Sequence, residues 1–364
     1  MKIKHLLSLF ALSLCISSAS AQTAQRFAAT KANDYGIAYT LPRTVVDVTI
    51  EAAITSRQPG EFYKYAKKYL NADNPITEPS VSATVKSVTI ATHGTPDTDE
   101  RYLVTLKSGF SPFINISPDN IPLGINTEDV YDAPAVTLPV ATDAEPTPLQ
   151  TAAARQVITE DMMRSHSTAK RAELAAEQIY ALRQSRTDLI TGQANQMPPD
   201  GQALQLILDN IDAQEKALVA MFLGTESTRT TVRTISIEPD DDISGRIIAR
   251  LSPIDGIVPP ADLSGAPITL SLTVTQRGEI PVNDKGQPIP MPKNGVPYCI
   301  PGSAEVTVDY DGHQVASADV EIAQFGVVYA MNPASFTDKK SPVYIIFNPS
   351  TGAISQTGPA SLAR

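Results

Sequence analysis

The chain has 364 residues, 29 prolines, no tryptophan and a formal net charge of −10 at pH 7. An acidic surface repels phosphate backbones and anionic lipid heads, which argues against nucleic acid and anionic membrane surfaces as partners. The length suffices to bury a core without cross-links, while the charge speaks to solubility and names no ligand.

The first 21 residues read as a secretory signal peptide. Lys2 and Lys4 form a basic head, Leu6 to Ile16 an apolar run, and Ala19-Ser20-Ala21 a small-residue cleavage site that leaves Gln22 as the new N-terminus. The run is shorter than the ~20 apolar residues a membrane span needs. Cys15 follows an apolar stretch, as a lipid-anchor cysteine would. Its neighbour Leu14 is bulky, however, and a cleaner cleavage site follows, so ordinary release is favoured. The mature chain is therefore expected to be exported across the inner membrane, to the periplasm or beyond. It then keeps a single cysteine, Cys299, so no internal disulfide is possible. Cys299 reads as a packing thiol, because no basic neighbour is present to make it a nucleophile.

Residues 22–34 are expected to be a disordered tail. Residues 35–131 read as a β-rich domain with one short helix over 61–70. Thr44 to Ile54 alternates through Val46, Val48 and Ile50, the period of a strand with one buried face. Phe62, Tyr65, Ala66 and Tyr69 recur at helical spacing and read as core. Val81 to Ala91, Tyr102 to Lys107 and Pro112 to Ile116 are further candidate strands. Residues 132–149 are rich in Pro, Thr and Ala and read as a linker.

The period changes over 150–225, where two helices are predicted at 168–191 and 202–223, forming an antiparallel hairpin. Ile179 and Leu182 mark the buried seam of the first, and Leu204, Ile207, Ile211 and Leu218 that of the second. Gly192 and Gly224 suit the positions just past each helix, and Pro198-Pro199-Asp200 suits the start of the second. A turn near Asn195–Gln196 places Arg183 opposite Asp209.

Residues 228–364 return to β. Thr230 to Ile237, Ile243 to Leu251 and Ile268 to Gln276 are candidate strands. Ala304 to Tyr310, Asp311-Gly312 and His313 to Ile322 form the clearest hairpin signal, and Val343 to Phe347 with Ala353 to Gln356 a second. The expected fold is α+β, with sandwich-like β-rich domains at both ends flanking a central two-helix hairpin. Val343 to Phe347 is similar to Tyr102 to Phe110, a hint that the two β-rich domains are related.

Chemical motifs are sparse. Glu238-Pro-Asp240-Asp241-Asp242 is the densest carboxylate run; Asp240, Asp241 and Asp242 are weak metal candidates. The run lacks the spacing of a calcium loop and is expected to be solvated, so that its removal would be neutral or mildly stabilising. His93-Gly-Thr-Pro-Asp97-Thr-Asp99-Glu100 gathers a histidine and carboxylates in what reads as a turn. His166 sits near a helix start and His313 after a hairpin turn, with no metal-ligand spacing between them. No Gly-x-Ser-x-Gly elbow or phosphate-cradling glycine loop occurs in the sequence; Ser108-Gly109 and Ser264-Gly265 are ordinary turn pairs. No catalytic residue and no cofactor is assigned.

Several blocks together resemble a known but uncharacterised family. They are Arg171 to Arg183, Leu189 to Gly192, Met197 to Gly201, Phe222 to Gly224, Tyr39 to Thr44, Gly60 to Ala66, Gly295 to Pro301 and Gln324 to Gly326. The family is a domain of unknown function found in secreted proteins of about this length from gut-type Gram-negative anaerobes. The resemblance implies an envelope or extracellular place and carries no catalytic residues. The leading reading is a non-enzymatic secreted or envelope protein that binds or scaffolds a partner, an envelope protein or a glycan. The alternative is an extracytoplasmic hydrolase acting on peptide or glycan. Convergence of His93, Asp97 and Asp240–Asp242 in one deep pocket would favour the hydrolase.

Overall fold

The computed structural model describes residues 23–26, 36–105, 113–292, 295–337 and 341–360. The signal segment, with Ala19, Ala21 and Gln22, lies outside the described residues, as do Ser108 and Gly109. Among the described residues, thirteen strands, β1 to β13, lie in three sheets, alongside a helical layer. The fold is β-rich, with several antiparallel sheets.

The first sheet has the order β1-β3-β2-β6. Its centre is β2 (Ile37–Gln58), paired along its length with β3 (Ser80–Thr105) and with β6 (Thr225–Ile237). Val46, Val48, Ile50, Ala52 and Ile54 are buried on one face of β2. On the other face, Thr49 and Thr55 share hydrogen bonds with Thr234 and Thr228 across the ladder. The first strand, β1 (Thr23–Arg26), pairs with the end of β3, so the tail expected to be disordered over 22–34 contains a strand at 23–26.

Residues 93–100, expected to turn, continue β3 instead. The reason is β2, which pairs with His93–Pro96 and again from Arg101, leaving Asp97–Glu100 as an irregularity between the two paired parts. The two prolines, Pro42 and Pro96, face each other beside a register shift, where a missing N–H costs least.

The second sheet has the order β11-β10-β9-β7-β8: β7 (Ile243–Ser252), β8 (Gly256–Val258), β9 (Ala266–Gln276), β10 (Val296–Tyr310) and β11 (His313–Met331). The β10–β11 turn is Asp311-Gly312, with φ of 51° and 75°, the left-handed pair that a two-residue hairpin needs. The third sheet has the order β13-β12-β5-β4: β4 (Ile114–Ile116), β5 (Pro122–Ile125), β12 (Val343–Phe347) and β13 (Ile354–Pro359).

The expectation of separate β-rich domains over 35–131 and 228–364 is therefore corrected. Strand β6 joins β2, and β12 joins β5, so both segments contribute to two of the sheets. The physical cause is burial. One core joins Val48 and Ile50 of β2 to Leu270 of β9 and Val306 of β10, and another joins Tyr39 and Leu41 to Ile345 and Phe347. Each segment alone would expose its apolar face.

The helical layer contains α1 (Ala66–Leu70), α2 (Ala152–Gln156), α3 (Glu160–Arg164), α4 (Thr168–Thr191) and α5 (Gly201–Leu223). Ser167 caps α4 by accepting from Lys170 N–H, and Gly192 ends it at φ 73°. Asp200 caps α5 by accepting from Ala203 N–H. Ile179 and Leu218 are buried in one cluster with Phe62 and Phe222, and Leu182 packs at its edge; Ile211 is buried outside that cluster.

Two seam residues depart from expectation: Leu204 is half-buried and Ile207 is 39% exposed. Only the portions of α4 up to Ile179 and of α5 from Ile211 onward bury residues, because α2, α3 and the Phe62 turn cover those ends alone. The far ends project without a third layer. The pairing register also differs: Arg183 meets Glu215 at 2.7 Å and Arg186 meets Asp212 at 3.3 Å, while Asp209 instead accepts from Gln205. Residues 192–200 connect the helices asymmetrically, which moves Arg183 past Asp209.

Candidate functional site

Three groups of side chains could carry function, and the sequence motifs are divided among them. The first group lies on the outer face of the first sheet. Asp47 projects from β2 between its two neighbours. His93 Nδ1 lies 2.6 Å from Asp47 Oδ2, and Ser236 Oγ donates to Asp47 Oδ1 at 2.6 Å. Serine, histidine and aspartate are all present, but in the wrong order. A nucleophilic serine needs the imidazole beside its hydroxyl to take the proton, with the carboxylate behind the ring. Here the carboxylate sits in the middle, and both partners are spent on it.

The second group surrounds Arg43, four residues from Asp47 along β2. Its guanidinium bonds Glu238 and Asp240, and Asp97 lies 3.8 Å away. Burial works against its charge, but the hydrogen bonds to Glu238 and Asp240 outweigh burial and raise its pKa. Asp241 pairs with Arg277 at 3.1 Å, and Asp242 accepts from Val274 N–H at 2.6 Å. The run, expected to be solvated, is exposed, and it is also tied: Asp240 to Arg43 on β2, and Asp241 and Asp242 to the end of β9. Asp97 and Asp240 do converge, as a hydrolase would require. They converge on a guanidinium, however, and His93 is engaged elsewhere. Among the described residues, no cluster of His, Cys, Asp and Glu could hold a metal ion.

Cys299 is buried on β10, its S–H directed at the carbonyl of Ala323 at 3.7 Å. Burial, then the nearby charges of Glu321 and Glu100, push its thiol up to about 12, far from a reactive thiolate.

The third group is a groove. The edge of β3 that faces away from β2 meets β1 only at Tyr102–Thr105. Among the described residues, its stretch Ser80–Ala91 has no ladder partner on that side. Strand β11 is likewise the edge of the second sheet. Pairing with the buried face of β2 puts Val81, Ala83, Val85, Val88 and Ile90 on the core side of β3. Pairing with Ala304, Val306 and Val308 puts Ala316, Ala318 and Val320 on the core side of β11. In a closed core these rows would be covered. Instead Val81 is 43% exposed, and Ala83, Val85, Val88, Ile90, Ala318 and Val320 are half-buried.

A cavity of about 360 Å³ lies between Ile90–Thr92 and Ala318–Glu321. Tyr131 and Val136, from the Pro/Thr/Ala-rich segment, form one wall, and the β12–β13 loop closes the end. There Ser350 Oγ donates to Thr92 O at 3.3 Å, and Pro349 stands so close to Gly94 that a side-chain carbon at that position would meet the proline carbonyl at 2.1 Å. The sequence signal for this groove was Ser80 to Thr92: β-branched, almost uncharged and strand-like. A second cleft, of about 740 Å³, lies between residues 145–151, α5 and the start of β6, with Glu145, Asp209, Asp212 and Glu226 around Lys216.

A family profile matches residues 35–355, and the chain belongs to that family, described as Domain of unknown function (DUF4831). No curated protein and no solved structure matches the chain. No helix among the described residues is long and apolar enough to cross a membrane.

Proposed function

We propose that this is a non-enzymatic secreted or cell-envelope protein that binds or scaffolds an envelope protein or glycan. Its signal segment, 1–21, is removed between Ala21 and Gln22, and the mature chain acts in the periplasm or outside the cell. Its body is a β-sandwich in which the two larger sheets pack face to face, and the paired helices form an antiparallel hairpin at one side. The observation that carries this reading is the open flank between β3 and β11, where apolar side chains and a strand edge face solvent together. Proteins normally defend such an edge with charge, proline or a covering element, because an exposed one pairs with another chain.

The test is a photo-crosslinking residue placed at Thr84 on β3 of the mature protein, with the same residue at Leu206, 68% exposed on α5, as control. A discrete adduct from position 84 in envelope extracts, absent from position 206, supports binding. Turnover of a peptide or glycan substrate that is lost on His93→Ala overturns it in favour of a hydrolase.

A further inference from the structure

We propose that the open flank is an acceptor for one extended polypeptide strand of another protein, with alternating apolar residues and a basic outward face. The proposal rests on the binding reading above and adds the chemistry of the partner.

Three observations define the occupant. The first is the backbone edge. Over Ser80–Ala91, β3 presents main-chain N–H and C=O groups on a side that no described strand pairs. An added strand of about ten residues would span this edge at ~3.3 Å per residue. The second is the pair of apolar rows. Val81, Ala83, Val85, Val88 and Ile90 lie on the core side of β3, and Ala316, Ala318 and Val320 on the core side of β11; Ile90, Ala318 and Val320 line the cavity between the two strands. A strand laid against β3 directs every second side chain into that space, so those positions must be apolar; the small residues of β11 leave room for branched ones.

The third is charge. Lys86 is the one charged residue between Ser80 and Thr92, and it is already held by Glu51 at 3.0 Å. The rim beyond it is acidic: Asp319 and Glu321 on β11 line the groove and are exposed. The outward positions of the incoming strand therefore face carboxylates and are matched by Lys or Arg. A second copy of this acidic chain, at net −10, is disfavoured by the same field.

The experiment uses the full mature protein and a capped, alternating Lys/Val peptide of about nine residues, with the Glu/Val peptide of the same pattern as control. Binding is read by fluorescence anisotropy, and the site by amide hydrogen exchange. The proposal expects saturable binding of the Lys/Val peptide, new protection confined to β3 80–91, and at least about tenfold weaker binding of the Glu/Val peptide.

The double variant Val81→Lys, Ala83→Lys puts charge into the apolar row and should weaken binding at least about tenfold while leaving the melting curve cooperative. Should that variant fail to fold, Ala83→Cys in the wild-type background serves instead. With Cys299 buried, the thiolate at position 83 attacks a Lys/Val peptide whose cysteine is carried as a 2-thiopyridyl disulfide, forming the protein–peptide disulfide and releasing pyridine-2-thione, and selectively so against the Glu/Val peptide activated in the same way. Equal binding of both peptides, or protection that falls outside 80–91, overturns the proposal. So does a concentration-dependent dimer that protects 80–91 without peptide, since a second copy would then be the occupant. An adduct at position 84 that persists in the Lys double variant overturns the strand chemistry while leaving the binding reading intact.

Discussion

The side-chain amide of Gln324 bonds both backbone polar groups of Thr44: it accepts from Thr44 N–H at 2.9 Å and donates to Thr44 C=O at 2.8 Å. A glutamine on β11 thus serves β2 as a substitute strand neighbour, and it does so where the two sheets come together. Thr44 Oγ1 completes the joint by donating to Ser350 C=O and accepting from Ala323 N–H. Both residues lie in sequence blocks that carry the family resemblance. Tyr39, from the same block as Thr44, donates its hydroxyl to Pro297 C=O at 2.6 Å, in a third such block. These residues meet one another at internal junctions, a structural role that needs no chemistry on a substrate.

Gln324→Ala should therefore be costly although Gln324 lines neither the groove nor the second cleft. It leaves the N–H and C=O of a fully buried threonine without partners, at roughly 1–3 kcal/mol for each group that water cannot reach. Gln324→Glu keeps the acceptor and loses the donor at neutral pH, so its deficit should shrink as the carboxyl protonates. Urea melts at pH 7 and pH 4 check both statements, each against wild type at the same pH.

In the helical layer, Leu218→Ala should cost ~2–5 kcal/mol, since the side chain is fully buried. Ile207→Ala should cost under ~1 kcal/mol, because Ile207 is 39% exposed and lies outside the buried cluster. Denaturant melts of the two single variants decide; equal losses would mean that the far end of the helix pair is covered.

Asp240, Asp241 and Asp242 replaced together by Asn should lower stability modestly. Each ion pair is exposed and contributes at most ~1 kcal/mol, with the Val274 N–H bond weakened in addition. Arg43→Met should also destabilise, by leaving Asp97, Glu238 and Asp240 close together without their cation. Melting temperatures with calcium and with chelator should coincide for wild type; a calcium-dependent rise lost in the triple variant would show a metal site that outcompetes Arg43.

The Cys299 thiol gives a signed dependence on pH. Its folded pKa is raised to about 12, above that of an exposed thiol, so the unfolded chain loses the proton first. Stability is unaffected by this group below the unfolded value and falls as pH rises through it toward the folded one. Cys299→Ser should flatten that part of the profile between pH 8 and pH 10. Labelling by a maleimide should be slow in the native protein and fast in denaturant; rapid native labelling would contradict the burial.

Local features were legible because they depend on neighbours in the chain. The alternation through Val46, Val48 and Ile50, the Asp311-Gly312 turn and the caps at Ser167 and Asp200 all state their structure within a few residues. Partners distant in sequence were not legible. Nothing near Asp47 announces Ser236, and nothing near Arg43 announces Glu238, because each pair is made by β6 returning to β2 after the helices. The same return merged two expected domains into shared sheets. His93 to Glu100 has turn composition, yet pairing with β2 drew His93 to Pro96 into the ladder and left only Asp97 to Glu100 irregular. The groove lay between these extremes: the uncharged run from Ser80 was visible as a strand, but its empty side is a property of the assembled sheets.

The most direct measurement of the open flank is residue-resolved amide exchange of the mature protein alone. Strand β2 is paired on both sides over Val46–Ile54, whereas β3 is paired on one side over Ser80–Ala91. The account predicts slow exchange throughout the β2 stretch and an alternating pattern in β3, with every second amide exchanging quickly into solvent. Uniform protection across 80–91, equal to that of 46–54, would contradict it, because the edge would then already be occupied.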